Sequence, residues 1–174
     1  MTDNKVGIYL YGSTFNSISD NSIVNNGGAG LWYFGSSHNN MLSNNVADNQ
    51  ISMYFELQCR NNTIYHNNFV NNELQFFPDI DSVNSWDNGV EGNYWSNYNG
   101  TDDDGNGIGD TQYVIDENNQ DNYPLITEYI IPEFPSPTST PEPDPFPTTL
   151  VVASIATIAV IVIGILVYFK KFRK

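Results

Sequence analysis

The residues best placed to do chemistry lie in a short acidic loop centred on position 106. Its oxygen ligands would be Asp102, Asp104, Asn106, the Ile108 carbonyl and Asp110. They occupy the first odd-numbered positions of an EF-hand-like calcium loop, and Gly107 would allow the chain to turn sharply around the ion. Closely spaced carboxylates also repel one another unless a cation neutralises them. The loop therefore predicts structural calcium, with a solvated acidic turn as the alternative.

The loop departs from the EF-hand pattern at its end, where Tyr113 replaces the bidentate Glu. The sequence is nearer to the shorter D-x-D-x-D-G-x-x-D loops of extracellular repeat proteins. Other acids could complete the coordination shell, and the candidates are Asp103, Asp116 and Asp121.

The net charge of the chain limits the classes of partner that it can bind. Among 174 residues, 20 are Asp or Glu and 6 are Lys or Arg, which gives a net charge of −14. Such an acidic surface repels phosphate backbones and excludes nucleic acid as a partner, whereas it suits divalent cations. The single cysteine, Cys59, excludes an internal disulfide framework.

A catalytic constellation is not evident. Polysaccharide lyases need a cationic base, and Arg60 is the only basic side chain in the repeats beyond their start. Asp20 and Asp48 occupy near-equivalent turn positions, but they are interpreted as solvent-facing acids rather than a glycosidase pair. His38 and His66 lie in Asn-rich turns without a triad motif. We therefore expect that the chain is not itself an enzyme.

A repeat of about 23 residues must position these groups. The segments 6–12, 29–35 and 51–57 align, so that Ile8, Leu31 and Met53 correspond, and Ile18, Leu42 and Ile64 recur further along. Apolar and polar residues alternate over short runs, which is typical of strands. Asparagines also recur, and Asn21, Asn45 and Asn67 could form a hydrogen-bonded ladder. These features predict three rungs of a parallel β-helix, with a leucine-rich repeat as the competitor.

The alternation also predicts an aromatic strip on the outer face. If Ile8, Leu31 and Met53 point inward, the residues between them point outward. The aromatic strip comprises Tyr9, Trp32, Tyr54, Tyr11 and Phe34. Such a row suits sugar rings or a protein partner, unless a neighbouring segment folds over it.

The N-x-I-x-x-N-x-I-x-x-N pattern of residues 5–77 resembles the right-handed parallel β-helix repeats of NosD-type proteins and archaeal surface proteins. Residues 84–126, with Gly92-Asn93-Tyr94-Trp95-Ser96 and the acidic loop, resemble the C-terminal module of those proteins. That resemblance implies a cap on the open end of the solenoid. The NosD name also implies copper, yet the soft or imidazole donors are scattered singly, namely His38, His66, Met41, Met53 and Cys59.

The C-terminal part predicts a membrane anchor. Residues 150–169 form an apolar run without charge, long enough for one transmembrane helix, and the tail 170–174 is basic. The positive-inside rule then places residues 1–149 outside the cell and the C-terminus in the cytoplasm. The proline-rich residues 131–149 predict an extended stalk.

The predicted organisation is all-β, apart from that helix. It has β-helix rungs at 1–78, a capping module at 79–130, and then the stalk, helix and tail. No signal peptide is evident and the repeat begins at once, so we expect upstream rungs in a longer protein. The expected role is structural, adhesive or glycan-binding at the cell membrane, with a surface glycan or another surface protein as partner. The alternative is a C-terminal fragment of a carbohydrate-active β-helix enzyme or of a NosD-type copper-delivery protein.

Overall fold

The computed structural model describes residues 1–77 and 81–132, and thirteen strands occur in these ranges. In chain order they are β1 (Val6–Tyr11), β2 (Ser17–Ser19), β3 (Ser22–Val24), β4 (Ala29–Phe34), β5 (Asn40–Leu42), β6 (Asn45–Ala47), β7 (Ile51–Glu56), β8 (Thr63–Tyr65), β9 (Asn68–Val70), β10 (Leu74–Phe77), β11 (Tyr94–Trp95), β12 (Tyr113–Val114) and β13 (Gln120–Asp121). The first eleven pair in parallel, which confirms the predicted parallel β-helix.

The parallel strands form three walls of one solenoid. The first wall is β1-β4-β7-β10, the second is β2-β5-β8, and the third is β3-β6-β9-β11. Val6 pairs with Ala29, Ala29 with Ile51, and Ile51 with Leu74, which confirms a repeat of about 23 residues. The predicted number of rungs was too small, because a fourth turn follows. It contains β10, a parallel bridge from Thr63 to Ser85, and β11.

Apolar side chains from successive turns stack inside the solenoid as the alternation predicts. Ile8 pairs with Leu31, and Leu31 with Met53, whose side chain is fully buried. The same column continues to Phe76 in the fourth turn. Burial of such side chains stabilises each by about 1.5–3 kcal/mol relative to the exposed state. The stack therefore supplies the core of the solenoid.

One predicted column was displaced by a residue. The structure pairs Ile18 with Met41 rather than Leu42, and Met41 with Ile64. Met41 is fully buried, whereas Leu42 points to the other face and is half-buried. Adjacent Met and Leu both satisfy an apolar pattern, and a one-residue shift reverses the faces of a strand. The strand register, rather than residue type, decides between them.

Asparagine ladders run along the corners between the walls. The predicted ladder exists, but Asn44 rather than Asn45 stands between Asn21 and Asn67. Each side-chain N–H donates to the Oδ1 of the next turn, at 2.9 Å for both of these steps. Two further ladders are Asn16–Asn39–Asn62–Asn84 and Asn26–Asn49–Asn72. These bonds satisfy polar groups that the turns would otherwise bury unpaired.

The described residues belong to one compact unit, Met1–Pro132. The predicted helix at 150–169, the basic tail, and residues 133–149 of the stalk lie outside the described residues. Within residues 1–77 and 81–132, no helix is long and apolar enough to cross a membrane.

Candidate functional site

The aromatic strip lies on the outer face of the first wall. Strand register pairs Tyr9 with Trp32 and Trp32 with Tyr54. The ring centroids of these pairs are 5.2 and 5.0 Å apart. Phe77 of β10 extends the column, with its ring 5.0 Å from that of Tyr54. Sequence reasoning missed Phe77, although its position one repeat after Tyr54 was an available signal.

A second column stands beside the first and is shorter. Tyr11 stacks on Phe34 with a ring-centroid distance of 5.0 Å and an interplanar angle of 12°. Glu56 occupies the next position in register, so the aromatic column ends there. A carboxylate at this point adds a hydrogen-bond acceptor to an otherwise apolar surface.

Solvent reaches the strip at its first strand. Tyr9 is 51% exposed and Tyr11 is 68% exposed, whereas Trp32, Phe34 and Tyr54 are half-buried by their neighbours. The indole N–H of Trp32 has no acceptor among the described residues, so ring packing rather than a hydrogen bond holds this side chain. No described segment covers the first column at Tyr9. The arrangement presents adjacent ring faces and edges to a ligand.

The acidic loop is held by its own backbone. Both carboxylate oxygens of Asp102 accept backbone N–H groups, from Asn106 at 3.0 Å and from Gly107 at 2.9 Å. Asn106 Oδ1 accepts the N–H of Ile108 at 2.8 Å. Gly107 has a φ of +87°, a conformation that is easily reached only by glycine. The predicted sharp turn is therefore present in the loop.

The remaining predicted ligands are placed less closely together. Asp104 accepts bonds from Asn106, while Asp110 Oδ2 accepts the N–H of Asp103 at 2.8 Å and the hydroxyl of Thr101 at 3.1 Å. In the part of the chain that the structure describes, no three His, Cys, Asp or Glu side chains are grouped to hold a metal ion. Asn106 and the Ile108 carbonyl could also supply oxygen ligands, but they are not among these four residue types. Calcium binding by this loop stays a prediction.

Asp121, a candidate for completing the loop, is instead fully buried at the end of an asparagine ladder. Its Oδ2 accepts the backbone N–H of Asn93 at 2.7 Å and the indole N–H of Trp95 at 3.0 Å, and its Oδ1 accepts the N–H of Tyr123 at 3.1 Å. Asn21, Asn44, Asn67 and Asn93 each donate a side-chain N–H to the next member of the ladder, so the last member must accept without donating onward. A carboxylate meets that requirement. The direction of the hydrogen bonds along the ladder therefore explains why its last member is an acid.

Burial raises the pKa of the Asp121 carboxyl to about 6, although hydrogen bonds from Trp95, Asn93 and Tyr123 act in the opposite direction. The native protein then binds more protons than the unfolded chain between about pH 4 and 6. Stability from this group is complete below about pH 4 and is lost as the pH rises through 6.

An Asp121→Asn variant lacks this dependence. Urea denaturation measures the free energy of unfolding of the variant and of the native chain. The value for the variant minus the value for the native chain should rise by about 2–3 kcal/mol from pH 4 to 7. A constant difference would contradict the assignment.

The methionine and cysteine side chains that could ligate copper are not arranged as a copper site. Met41, Met53 and Cys59 are fully buried in the hydrophobic core, and the thiol sulfur of Cys59 accepts the N–H of Ser36 at 3.4 Å. Copper sites instead gather soft and imidazole ligands around one point. We derive no copper chemistry from the described residues.

The histidines and acids are likewise engaged separately. The His66 Nε2 lies 2.7 Å from Glu91 Oε2, and the His66 ring stacks on Tyr129. Asp20 and Asp48 follow strands of different walls, β2 and β6, so their predicted equivalence was wrong. They share no corner of the solenoid on which a pair could act.

Comparison with known proteins identifies the family. Residues 1–100, more than half of the chain, match the family described as periplasmic copper-binding protein (NosD). No curated protein and no solved structure matches the chain. The parallel solenoid and its repeat length agree with the earlier resemblance. The chain belongs to the NosD family of periplasmic copper-binding proteins.

Proposed function

We propose that this chain is a non-catalytic binding protein displayed at the cell surface, and that its aromatic strip binds neutral glycans. The observation that carries the proposal is the outer column of adjacent rings, with Tyr9 and Tyr11 open to solvent. Aromatic faces supply contact area at low entropic cost, and sugar rings present flat apolar faces to them. The acidic surface disfavours anionic polymers. Retention on immobilised neutral polysaccharides, compared between the native chain and strip variants, tests the proposal.

The solenoid is proposed to be held at the membrane by a helix at 150–169, with residues 1–149 outside and the basic tail in the cytoplasm. The support is the uncharged run of the sequence and the basic residues after it. A binding face on an anchored solenoid would attach the cell to a glycan, which is an adhesive role.

Residues 79–130 are proposed to cap the solenoid. The support lies in ring packing after the fourth turn, where Tyr113 stacks on Trp95 of β11 with a ring-centroid distance of 4.4 Å and an interplanar angle of 15°. Trp95 is almost fully buried. A cap of this kind covers apolar side chains that the last turn would otherwise expose to water.

Copper delivery is the second candidate function, and family membership is the observation that favours it. The scattered donors of the described residues argue against a site in this part of the chain. A copper role would then need ligands from elsewhere.

Calcium is proposed as a structural ion in the acidic loop. Loops of this kind bind calcium at about 10⁻⁴–10⁻³ M, so about 10 mM calcium should stabilise the full chain by roughly 1–3 kcal/mol. Thermal unfolding should show a higher Tm with calcium, and Asp102→Ala with Asp104→Ala should abolish the gain. Glu117→Ala with Glu128→Ala removes equal charge at exposed positions outside the loop and should leave it intact. An unchanged Tm of the native chain would refute the site.

A further inference from the structure

A groove of about 520 Å³ lies at the C-terminal end of the first wall. The fourth turn forms one side, through residues 71–76, and the C-terminal segment forms the other, through residues 96–97 and 113–115. No strand of the described ranges pairs with the outer edge of β10, whereas on the third wall Tyr94 bridges onward to Leu125. The groove therefore occupies the place where the first wall is not continued.

Three polar side chains in the groove share one arrangement: the oxygen of each accepts a hydrogen bond from the protein, while its own N–H or O–H donor has no protein partner among the described residues. Gln75 Oε1 accepts the side-chain N–H of Asn72 at 3.3 Å, and Asn97 Oδ1 accepts the Tyr113 hydroxyl at 3.1 Å. Ser96 Oγ accepts the backbone N–H of Asn71 at 2.9 Å. Within the described residues, the amide N–H groups of Gln75 and Asn97 and the Ser96 hydroxyl donate to no protein atom. The acceptor bonds fix the orientation of each group, and the unused donors remain available to a ligand.

The remaining lining defines the chemistry of a ligand. Glu73 supplies a carboxylate acceptor, and the groove contains no Lys, Arg or His. An anion would meet the carboxylate without a compensating cation, while a cation would meet three unused hydrogen-bond donors. A hydroxyl group both donates and accepts, so neighbouring hydroxyls match this mixture. The volume lies within the range of about 300–1,000 Å³ that is typical of small-ligand sites.

An aromatic ring completes the groove. Tyr113 is half-buried and stacks on Trp95, with a ring-centroid distance of 4.4 Å and an interplanar angle of 15°. A tyrosine hydroxyl is protonated at neutral pH, and burial raises the pKa of Tyr113 further, so the hydroxyl is a donor that holds Asn97.

We propose that this groove is a second binding site, which takes one or two hexose or pentose units of a neutral saccharide. It is independent of the aromatic strip, since no residue of the strip lines it. The amide and hydroxyl donors would bond sugar oxygens, and Glu73 would accept from a sugar hydroxyl. The site would therefore recognise the pattern of hydroxyl groups, which a row of aromatic rings cannot read.

The test is calorimetric titration of the full chain, in detergent micelles, with maltotriose, cellotriose and xylotriose. At least one should bind at about millimolar Kd. Asn97→Asp keeps the acceptor for Tyr113 and replaces the donor, so it should weaken that binding about tenfold. Gln75→Glu does the same for the Asn72 bond and should act likewise. Asn99→Asp adds the same charge at an exposed neighbouring position and should change affinity less than about twofold.

Three outcomes would overturn the groove proposal. The first is no binding of any of the three sugars at about 10 mM, which exceeds the expected Kd. The second is an equal effect of Asn97→Asp and Asn99→Asp. The third is loss of trisaccharide binding in a Tyr9→Ala, Tyr11→Ala variant with no effect of the groove variants, since the sugar would then occupy the strip alone. Loss of polymer retention with trisaccharide binding intact would instead refute the strip and leave the groove standing.

Discussion

Replacing Asn67 with alanine is expected to lower the free energy of unfolding by roughly 3–5 kcal/mol, because several buried polar groups lose their partners at once. The Asn67 side chain is fully buried in the middle of a ladder. Its Oδ1 accepts the backbone and side-chain N–H groups of Asn44, at 3.0 and 2.9 Å. Its amide donates to Asn93 Oδ1, to the Met41 carbonyl and to the Tyr65 carbonyl. Alanine satisfies none of these groups.

Urea denaturation at pH 7 measures this effect. Asn40→Ala is the matched control, because Asn40 is an exposed asparagine of β5 and should change stability by no more than about 0.5 kcal/mol. If the two variants lost equal stability, the ladder would contribute nothing beyond ordinary surface asparagines.

Removing the two exposed rings of the strip should reduce retention on neutral polysaccharide at least about tenfold. The variant is Tyr9→Ala with Tyr11→Ala, and the polymers are cellulose, mannan and starch. Truncation of Trp32 is a poorer test, since that ring is half-buried and its loss would also affect the fold. The tyrosines are more than half exposed, so the Tm should change little. Affinity electrophoresis of the full chain measures the retention.

Phe15→Ala provides the control for this experiment. Phe15 is 82% exposed and stacks on His38, outside the strip, so its removal deletes an exposed ring of similar size. Retention should stay within about twofold of the native chain. Equal losses in both variants would indicate nonspecific adsorption through exposed rings.

The fold was predictable because the repeat is carried by residue classes that pack together. The step of 22 or 23 residues that relates Ile8, Leu31 and Met53 is the pairing of the first wall. An apolar column needs only side chains of suitable size, and three occurrences at one spacing already define it.

Register within the turns was harder to predict. Asn44 and Asn45 are adjacent, as are Met41 and Leu42, so sequence pattern alone allows either member of each pair. Only backbone pairing decides which one points inward. The fourth turn escaped detection for a related reason: between Asn67 and Asn93 the chain makes a longer excursion, which breaks the period.

The position of the aromatic strip was predictable from the sequence, but the exposure of its rings was not. Alternation placed Tyr9, Trp32 and Tyr54 on one face, while exposure depends on which other segments fold nearby. The role of Asp121 could not be inferred, since its acceptors satisfy N–H groups of Asn93 and Tyr123 that meet it only in the folded chain.

The most direct test of the central claim is NMR of the full chain with isotope-labelled tyrosine and tryptophan rings, in the presence of a neutral hexasaccharide. Glycan binding by the strip predicts nuclear Overhauser effects between sugar protons and the rings of Tyr9, Tyr11 and Trp32. The exposed Tyr123, which lies outside the strip, should show none. A bound hexasaccharide with no such effect at Tyr9, Tyr11 or Trp32 would contradict the proposed function.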